Sequence, residues 1–379
     1  MEPWTLKYRP RRLDDIVGQG HIKPVLRAMT SQQSPHPAMI FAGSRGTGKT
    51  TAARILAAAL NCEVQDGDAC TTCSRCQSVA RSNSTSVLEV DAASSGGVDN
   101  VRQIKEICAY AHEGEWRIIL LDEAHSMSRD AFNALLKTLE EPPSQTVFVL
   151  LTTEVEKILP TIRSRSMTFD FRRLSPENLE SRLAYVASQE TVQAAPELLA
   201  EIAVRSDGGM RDAIMMLEQV SRVGVTTVDD FRELFGLRDV SLQLIASGLD
   251  GDLATGFKLV EEQFYRSGDA RSLVADLSRT SRDLLVLKAG GDIHGSQSYV
   301  EERQALANRI ETKRLLAMVK ILWSLQDKVR VASEDQRSTM DIAFAMIAES
   351  LGRPQEPIQT VEARQTTMSL RDMRAAMRR

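Results

Sequence analysis

At 379 residues the chain is too long for one ordinary domain, and its length points to two or three, enough to bury a sizeable core. A formal charge of -4 and a pI near 5.9 exclude a global attraction to polyanions, so any nucleic-acid contact has to come from local basic patches. No apolar run approaches the roughly 18 residues of a membrane span, and Met1-Glu-Pro-Trp4 lacks a basic-then-apolar leader. We therefore expect a cytoplasmic protein with no membrane partner, whose five cysteines are not a disulfide framework.

The first twenty residues mix the cations Lys7, Arg9, Arg11 and Arg12 with apolar Trp4, Leu6, Tyr8, Ile16 and Val17, and Pro3 and Pro10 forbid a continuous helix. Two readings stay open: a basic N-terminal arm, or a strip laid across a nucleotide pocket in which Tyr8, Arg9 and Val17 meet the base. Helical spacing over 21–29 and a Pro/Ser/Gln-rich loop over 31–37 lead into the apolar run Ala38-Met-Ile-Phe41. Directly behind it stands Gly43-Ser44-Arg45-Gly46-Thr47-Gly48-Lys49-Thr50-Thr51, opening an Ala-rich helical stretch that ends at Leu60. Strand, glycine loop and helix together are the context in which this spacing is a phosphate loop. The glycines let backbone N–H groups curl around phosphate oxygens, Lys49 adds a mobile charge, the Thr50 hydroxyl is suited to Mg²⁺, and the helix adds the positive end of its dipole.

Cys62 is followed by Cys70-x-x-Cys73-x-x-Cys76. Four thiolates close a tetrahedral site, whereas a catalytic zinc keeps one position for water, so these residues predict a structural zinc knuckle over 62–76. Cys108 stands alone in a helical pattern over 98–111 and reads as a small packing residue. Residues 87–91 form a short strand and 92–97 a loop. The run Ile118-Ile-Leu-Leu121 is a buried strand that delivers Asp122 and Glu123 at its C-terminal end. Beside a phosphate loop that pair becomes a Walker B pattern, with Asp122 orienting hydrated Mg²⁺ and Glu123 polarising the attacking water. His125 reads as a packing or supporting group.

An amphipathic helix over 132–140 is stopped by Pro142-Pro143, and Val147-Phe-Val-Leu-Leu151 is another buried strand. It ends in Thr152-Thr153 on the crevice side of the sheet, where Thr153 either senses the terminal phosphate or caps the next turn. Alternation in Met167-Thr-Phe169-Asp-Phe171 gives a fifth strand, and five strands separated by helical patterns assemble as an α/β doubly wound parallel sheet. From Ser175 the texture is helical, with Ser175 as N-cap and Pro176 at the first helical position. Arg211 opens a helix beginning at Met210, where the dipole disfavours a cation and an anion would suit it. Beyond 237, apolar spacing at Leu273/Leu277, Leu284/Leu287, Leu315/Val319/Leu322 and Ile342/Met346 is read as core, or in part a subunit interface. The basic tail over 361–379 is read as frayed, with DNA or partner contact as the alternative.

These motifs together resemble the gamma/tau subunits of the bacterial DNA polymerase III clamp loader, members of the AAA+ ATPases. The resemblance rests on Tyr8-Arg9-Pro10, the 43–51 loop, the four cysteines, Leu121-Asp-Glu-Ala-His125, the 132–143 segment ending Glu-Glu-Pro-Pro143, Ser164-Arg165 and Gly208-Gly-Met-Arg-Asp212. It implies an AAA+ domain over 1–172, a helical lid over 173–238, a helical oligomerisation collar over 239–352 and a tail over 353–379. It also implies ATP, Mg²⁺ and structural Zn²⁺ as cofactors. The partners it implies are delta and delta-prime subunits in a ring-like hetero-oligomer, a sliding clamp and primer-template DNA. Arg165 would reach a neighbouring subunit's ATP, and Arg211 the nucleotide of its own subunit. The family's Ser-Arg-Cys is Ser164-Arg165-Ser166 here, which keeps the arginine. A chain of this length resembles the short gamma form, without the longer form's extensions. Another AAA+ DNA-remodelling ATPase and a non-hydrolysing delta-prime-like scaffold are the alternatives; the intact Lys49, Thr50, Asp122 and Glu123 weigh against the latter.

Overall fold

The computed structural model describes residues 2–95, 97, 101, 104, 106–107, 115–235, 240–267, 270–295, 297–331 and 336–352. They form two compact units, divided between the helices Val228–Leu234 and Val240–Asp250, with His294–Val300 belonging to the first.

The first unit is built on five strands, β1 (Ala38–Gly43), β2 (Val87–Asp91), β3 (Arg117–Asp122), β4 (Thr146–Thr152) and β5 (Met167–Phe171), in spatial order β2-β3-β4-β1-β5. All neighbouring strands run parallel. The central strands β1, β3 and β4 are buried along almost their whole length, because helices cover both faces; this is why they read as unbroken apolar runs. The edge strand β5 instead buries only Phe169 and Phe171, both against Phe41, and keeps the alternation seen in its sequence. On one face Leu26, Ile55, Leu56 and Leu60 pack against Met39, Phe41, Leu120 and Val149; on the other, Phe132, Leu135 and Leu139 pack against Ile40, Ile119, Phe148 and Leu150. The expected doubly wound parallel sheet is the fold.

Two elements differ from expectation. Residues Ala92–Ser95 form a helical turn rather than open loop. Asp91 caps it, its Oδ1 accepting from the Ala93 N–H at 2.9 Å while Ser94 Oγ donates back to the Asp91 carbonyl. The helix Arg129–Glu140 starts three residues before 132, because Ser128 accepts the Ala131 N–H. The expected helix over 98–111, with Cys108, lies largely outside the described residues; Val101 and Ile104 of it are buried.

Beyond β5 the chain is helical: Pro176–Gln189, Pro196–Arg205, Met210–Val223 and Val228–Leu234. Ser175 caps the first of these through the Asn178 N–H, with Pro176 at its start. Their core, around Leu179, Leu183, Ile202, Leu217 and Phe231, also takes in Trp4, with Tyr8 and Val17 packed against it, whereas Leu13 and Ile16 belong to the sheet's core. The N-terminal segment is thus no free arm. It is stitched to the helices at one end, where the Trp4 N–H donates to Glu218 at 3.1 Å, and to the sheet at the other.

The second unit contains the helices Val240–Asp250, Leu253–Ser267, Ala270–Lys288, Thr312–Val331 and Gln336–Leu351, and part of Gln297–Arg309. Leu273, Leu277, Leu284, Leu315 and Leu322 are buried as expected, but Ile342 and Met346 are exposed. The buried face of that last helix is Met340, Phe344, Ile347 and Leu351, rotated by about two residues, roughly 200° on a helix. Phe344 takes this place because helical Gly256 opposes it: a Cβ there would meet the ring at 1.8 Å. The tail from 353 on lies outside the described residues. Among the described residues no helix is long and apolar enough to cross a membrane.

Candidate nucleotide site

The loops leaving β1 and β3 open on the same carboxyl edge of the sheet, the position where parallel sheets bind ligands. A cavity of about 500 Å³ lies there, within the first unit. Of the sequence-predicted residues, Tyr8, Arg9, Val17, Arg45, Gly46, Thr47, Gly48, Lys49, Thr50, Thr51, Asp122, Glu123 and Arg211 line it.

The phosphate loop owes its shape to glycine. Gly46 and Gly48 have φ of +78° and +102°, in the left-handed region, and Gly48 is the N-cap of the helix Lys49–Leu60. A Cβ on Gly46 would press on Gly209 at 3.0 Å, while one on Gly48 would meet nothing within 4 Å, so at Gly48 it is backbone conformation that requires glycine. Gly43 lies so close to β5 that a Cβ would sit 2.2 Å from the Phe171 carbonyl oxygen.

Lys49 is buried, and its Nζ donates to the Gly43 and Ser44 carbonyls at 2.7 and 2.8 Å. Burial holds its pKa below the ordinary lysine value, against the opposing pull of the Glu123 and Asp122 carboxylates. Thr50 Oγ1 lies 3.3 Å from Asp122 Oδ2, so a hydroxyl and a carboxylate face the same point, a hard oxygen pair of the kind Mg²⁺ takes. Asp122 also accepts the Glu123 N–H at 2.9 Å. Glu123 adopts φ +48°, a left-handed conformation that costs a non-glycine residue on the order of 1 kcal/mol or more. It is turned toward His125, whose Nδ1 is 3.5 Å from Glu123 Oε2 and 3.1 Å from Thr152 Oγ1, and whose Nε2 is 3.5 Å from Glu154. His125 thus lies next to Glu123, whose Oε2 is buried without a hydrogen-bond partner among the described residues, while the imidazole Nδ1 is paired with Thr152.

On the opposite wall, Arg9 donates to Thr51 Oγ1 at 3.3 Å, and its pKa is lowered by burial and then by the Arg54 charge, with Arg211 adding to the repulsion. Cations gathered in this way favour an anionic ligand. Arg211 stands in the first turn of the helix Met210–Val223. Tyr8 OH donates to Glu190 at 2.6 Å, as does Lys7, fixing the N-terminal turn against the helix Pro176–Gln189.

Thr153 and Arg165 stand outside this cavity. Thr153 is exposed beyond β4, and it is Thr152 that is buried beside His125. Arg165 is at the surface, its Nε 2.7 Å from Glu140 Oε1 and an Nη donating to the Thr161 carbonyl at 2.9 Å. Conversely, the cavity includes Arg182, which donates to the Tyr8 carbonyl at 2.9 Å and lies over the Tyr185 ring; it sits in an ordinary amphipathic helix and carried no motif.

The four cysteines converge. Their sulfurs all lie within 4.8 Å of one another, and Cys70 and Cys76 are 4.0 Å apart. A tetrahedron with Zn–S bonds of about 2.3 Å has edges of about 3.8 Å, so the cluster needs only a small contraction to fit zinc. Backbone N–H groups of Cys73 and Cys76 point at the sulfurs of Cys70 and Cys73, at 3.3 and 3.4 Å. The Thr72 hydroxyl, followed by the Cys73 N–H, lowers the Cys70 thiol to about 6, while burial raises Cys76. The neighbouring Asp68 is buried and accepts the Leu13 N–H at 3.0 Å, tying the knuckle to the N-terminal segment.

A glycine phosphate loop on a five-stranded parallel sheet, two acids at the end of β3 and a helical lid bearing an arginine define an ATP-binding AAA+ ATPase; a family model described as RCF1/5-like, AAA+ ATPase lid domain matches residues 181–222. A second, described as DNA polymerase III, delta subunit, matches residues 18–175. The chain is 36% identical over 324 residues to the DNA polymerase III subunit tau of Bacillus subtilis (83% of this chain, 58% of that one) and 32% over 277 residues to that of Escherichia coli (72% and 43%). Over that aligned region it is similar to the gamma and tau subunits of DNA polymerase III. The chain spans about half the length of the curated relatives it matches. Among solved structures, the RuvB Holliday junction branch migration motor of Thermotoga maritima is similar at a TM-score of 0.48 and 19% identity, over 71% of this chain and 85% of that one.

Proposed function

We propose that the chain is the ATP-hydrolysing subunit of a DNA polymerase III clamp loader, coupling ATP binding and hydrolysis to opening a sliding clamp and placing it on primer-template DNA. The observation that carries this reading is the meeting, in one cavity, of the phosphate loop, Asp122, Glu123, the N-terminal strip and the lid's Arg211. The loop N–H groups and Lys49 hold the phosphates. Tyr8, Arg9 and Val17 border the base end. Glu123 orients and polarises the attacking water, and Arg211 reports the nucleotide to the lid. Thr50 and Asp122 would hold Mg²⁺, which when bound would neutralise phosphate charge. Zn²⁺ on Cys62, Cys70, Cys73 and Cys76 has a structural role.

On this reading Arg165, at the surface and outside its own cavity, serves a neighbouring subunit's site in a ring-like hetero-oligomer with delta- and delta-prime-type partners. The reading is tested by ATP turnover of the chain alone, with primed DNA, and with clamp and partner subunits. Turnover that rises with DNA and clamp is expected. No turnover in any combination would refute hydrolysis and favour a delta-prime-like scaffold; processive ATP-driven strand displacement without a clamp would favour a different DNA motor.

A further inference from the structure

Gln19 sits in the wall between the phosphate loop and the lid, and neither motif absorbs it. It is buried, only 6% exposed, and adopts φ +52°, a left-handed conformation uncommon for a residue with a Cβ. Its amide is used at both ends. Nε2 donates to the Arg172 carbonyl at 2.7 Å and, at a longer 3.4 Å, to the Thr47 carbonyl of the phosphate loop, while Oε1 accepts the Arg172 N–H at 3.2 Å. Arg172 is the first residue after β5, where the chain leaves the sheet for the lid. One side chain thus grips the lid's point of departure by both backbone groups and touches the loop that would close on phosphate.

The other connections there are backbone, apart from Arg173, whose guanidinium donates to the Asp207 carbonyl at 3.0 Å. The Met210 N–H, first in the helix carrying Arg211, donates to the Gly46 carbonyl at 3.0 Å, and the Leu174 N–H donates to Gly208 at 3.1 Å. Two successive carbonyls of the loop, Gly46 and Thr47, are therefore both bonded on their outer side, one to the lid helix and one to Gln19. In a phosphate loop the N–H groups face the ligand, so a peptide that turns to meet or release phosphate also swings its carbonyl. At Gly46 that swing pulls on the start of the lid helix, and at Thr47 it pulls on Gln19 and through it on Arg172. The left-handed pair Gly18-Gln19 fixes this approach: Gly18 has φ +65°, and a Cβ on it would meet Leu174 at 2.7 Å.

We infer that Gln19 is a positioning residue that couples the phosphate loop to the root of the lid, so that loss or gain of phosphate in the loop reorients the lid. The inference rests on the ATPase reading of the cavity. Only an amide has the required donor and acceptor at this length: glutamate faces two carbonyls with no donor when ionised, and methionine keeps the volume and removes both bonds.

The test compares Gln19→Met and Gln19→Glu with the unsubstituted full chain in its clamp-loader assembly, measuring ATP affinity, turnover, thermal stability and amide hydrogen exchange with and without ATP. In the unsubstituted chain ATP should protect both the phosphate loop, 43–50, and the lid segment, 205–212. In Gln19→Met, affinity should stay within a few-fold and the loop should still be protected, but the lid protection should be lost and turnover should fall about tenfold, a change in kcat rather than in binding. Gln19→Glu should behave in the same direction. Normal turnover and normal lid protection in Gln19→Met would overturn the coupling, as would losses of affinity, turnover and protection in strict proportion to lost stability, which would make Gln19 simple packing. Failure of the unsubstituted chain to bind ATP would instead strike the reading of the cavity itself.

Discussion

Replacing Lys49 by methionine separates the cost of holding a buried cation from its use. The Lys49 ammonium is buried on two neutral carbonyls, Gly43 at 2.7 Å and Ser44 at 2.8 Å, and burial lowers its pKa. The substitution removes two charge-assisted hydrogen bonds, worth about 1.5–3 kcal/mol each, but also removes a desolvated charge that costs a comparable amount. Stability of the free protein should therefore change by no more than about 1–2 kcal/mol in either direction. Nucleotide binding has no such compensation. Losing the cation opposite phosphate should cost about 3 kcal/mol, or on the order of a hundredfold in affinity. A nucleotide-induced stabilisation of roughly 2.7 kcal/mol, reached at a hundred times Kd, should then shrink to a few tenths.

Protonation gives an independent check. Because the folded pKa of Lys49 lies below its ordinary value of 10.5, between these two values the unfolded chain binds the extra proton, so this residue's contribution to stability rises with pH there and is least favourable below both. A bound phosphate favours the protonated form, so ATP affinity should begin to fall on the alkaline side before the ordinary lysine range, and should lose that dependence in Lys49→Met. Calorimetric titration and thermal denaturation with and without ATP measure both effects. Equal ATP affinity and an undiminished thermal shift in Lys49→Met would refute the assignment.

Glu123→Gln should retain ATP binding and lose turnover by about a hundredfold or more, because the amide keeps the shape but not the basicity that orients the water; normal hydrolysis would remove Glu123 from the mechanism. One zinc per chain is expected in protein purified without chelator, and Cys70→Ser should lower the melting temperature and release it. Zinc-free, fully stable protein would refute the knuckle. Arg165→Ala breaks an exposed pair with Glu140 worth less than about 1 kcal/mol, so stability should hold. Turnover in the assembled ring should nevertheless fall by roughly a thousandfold at the adjoining site. Mixing Arg165→Ala with Lys49→Ala subunits should restore activity at interfaces joining an intact Lys49 to an intact Arg165, and no recovery in verified mixed assemblies would argue against action in trans.

What could be read from the sequence was whatever the backbone itself dictates. The central strands carry unbroken apolar runs because both their faces are covered, and the phosphate loop carries glycines because Gly46 and Gly48 need left-handed backbone. Ser175 and Pro176 signal a helix start in their own residues. The features that were not legible are set by partners far along the chain. Trp4 is buried among Leu179, Leu183 and Leu217 with its N–H held by Glu218, 214 residues away, and nothing in the first ten residues says so. Ile342 and Met346 have helical spacing as good as that of Met340 and Phe344, and the buried stripe is the one whose Phe344 ring lies against Gly256, where a Cβ would meet it at 1.8 Å.

The same distinction divides the site. The groups that would touch phosphate sit within a few residues of one another and announce themselves as a motif, whereas Gln19, which bonds both the loop at Thr47 and the root of the lid at Arg172, comes from a separate segment and carries no motif. A phosphate cradle is a local arrangement of N–H groups that one short segment can build. Coupling requires contact between segments that move relative to each other, so its residues are necessarily scattered. Chemistry in this fold is therefore legible in sequence, while the means by which a bound phosphate could move the lid becomes visible only when the hydrogen bonds of Thr47, Arg172 and Met210 are traced in three dimensions.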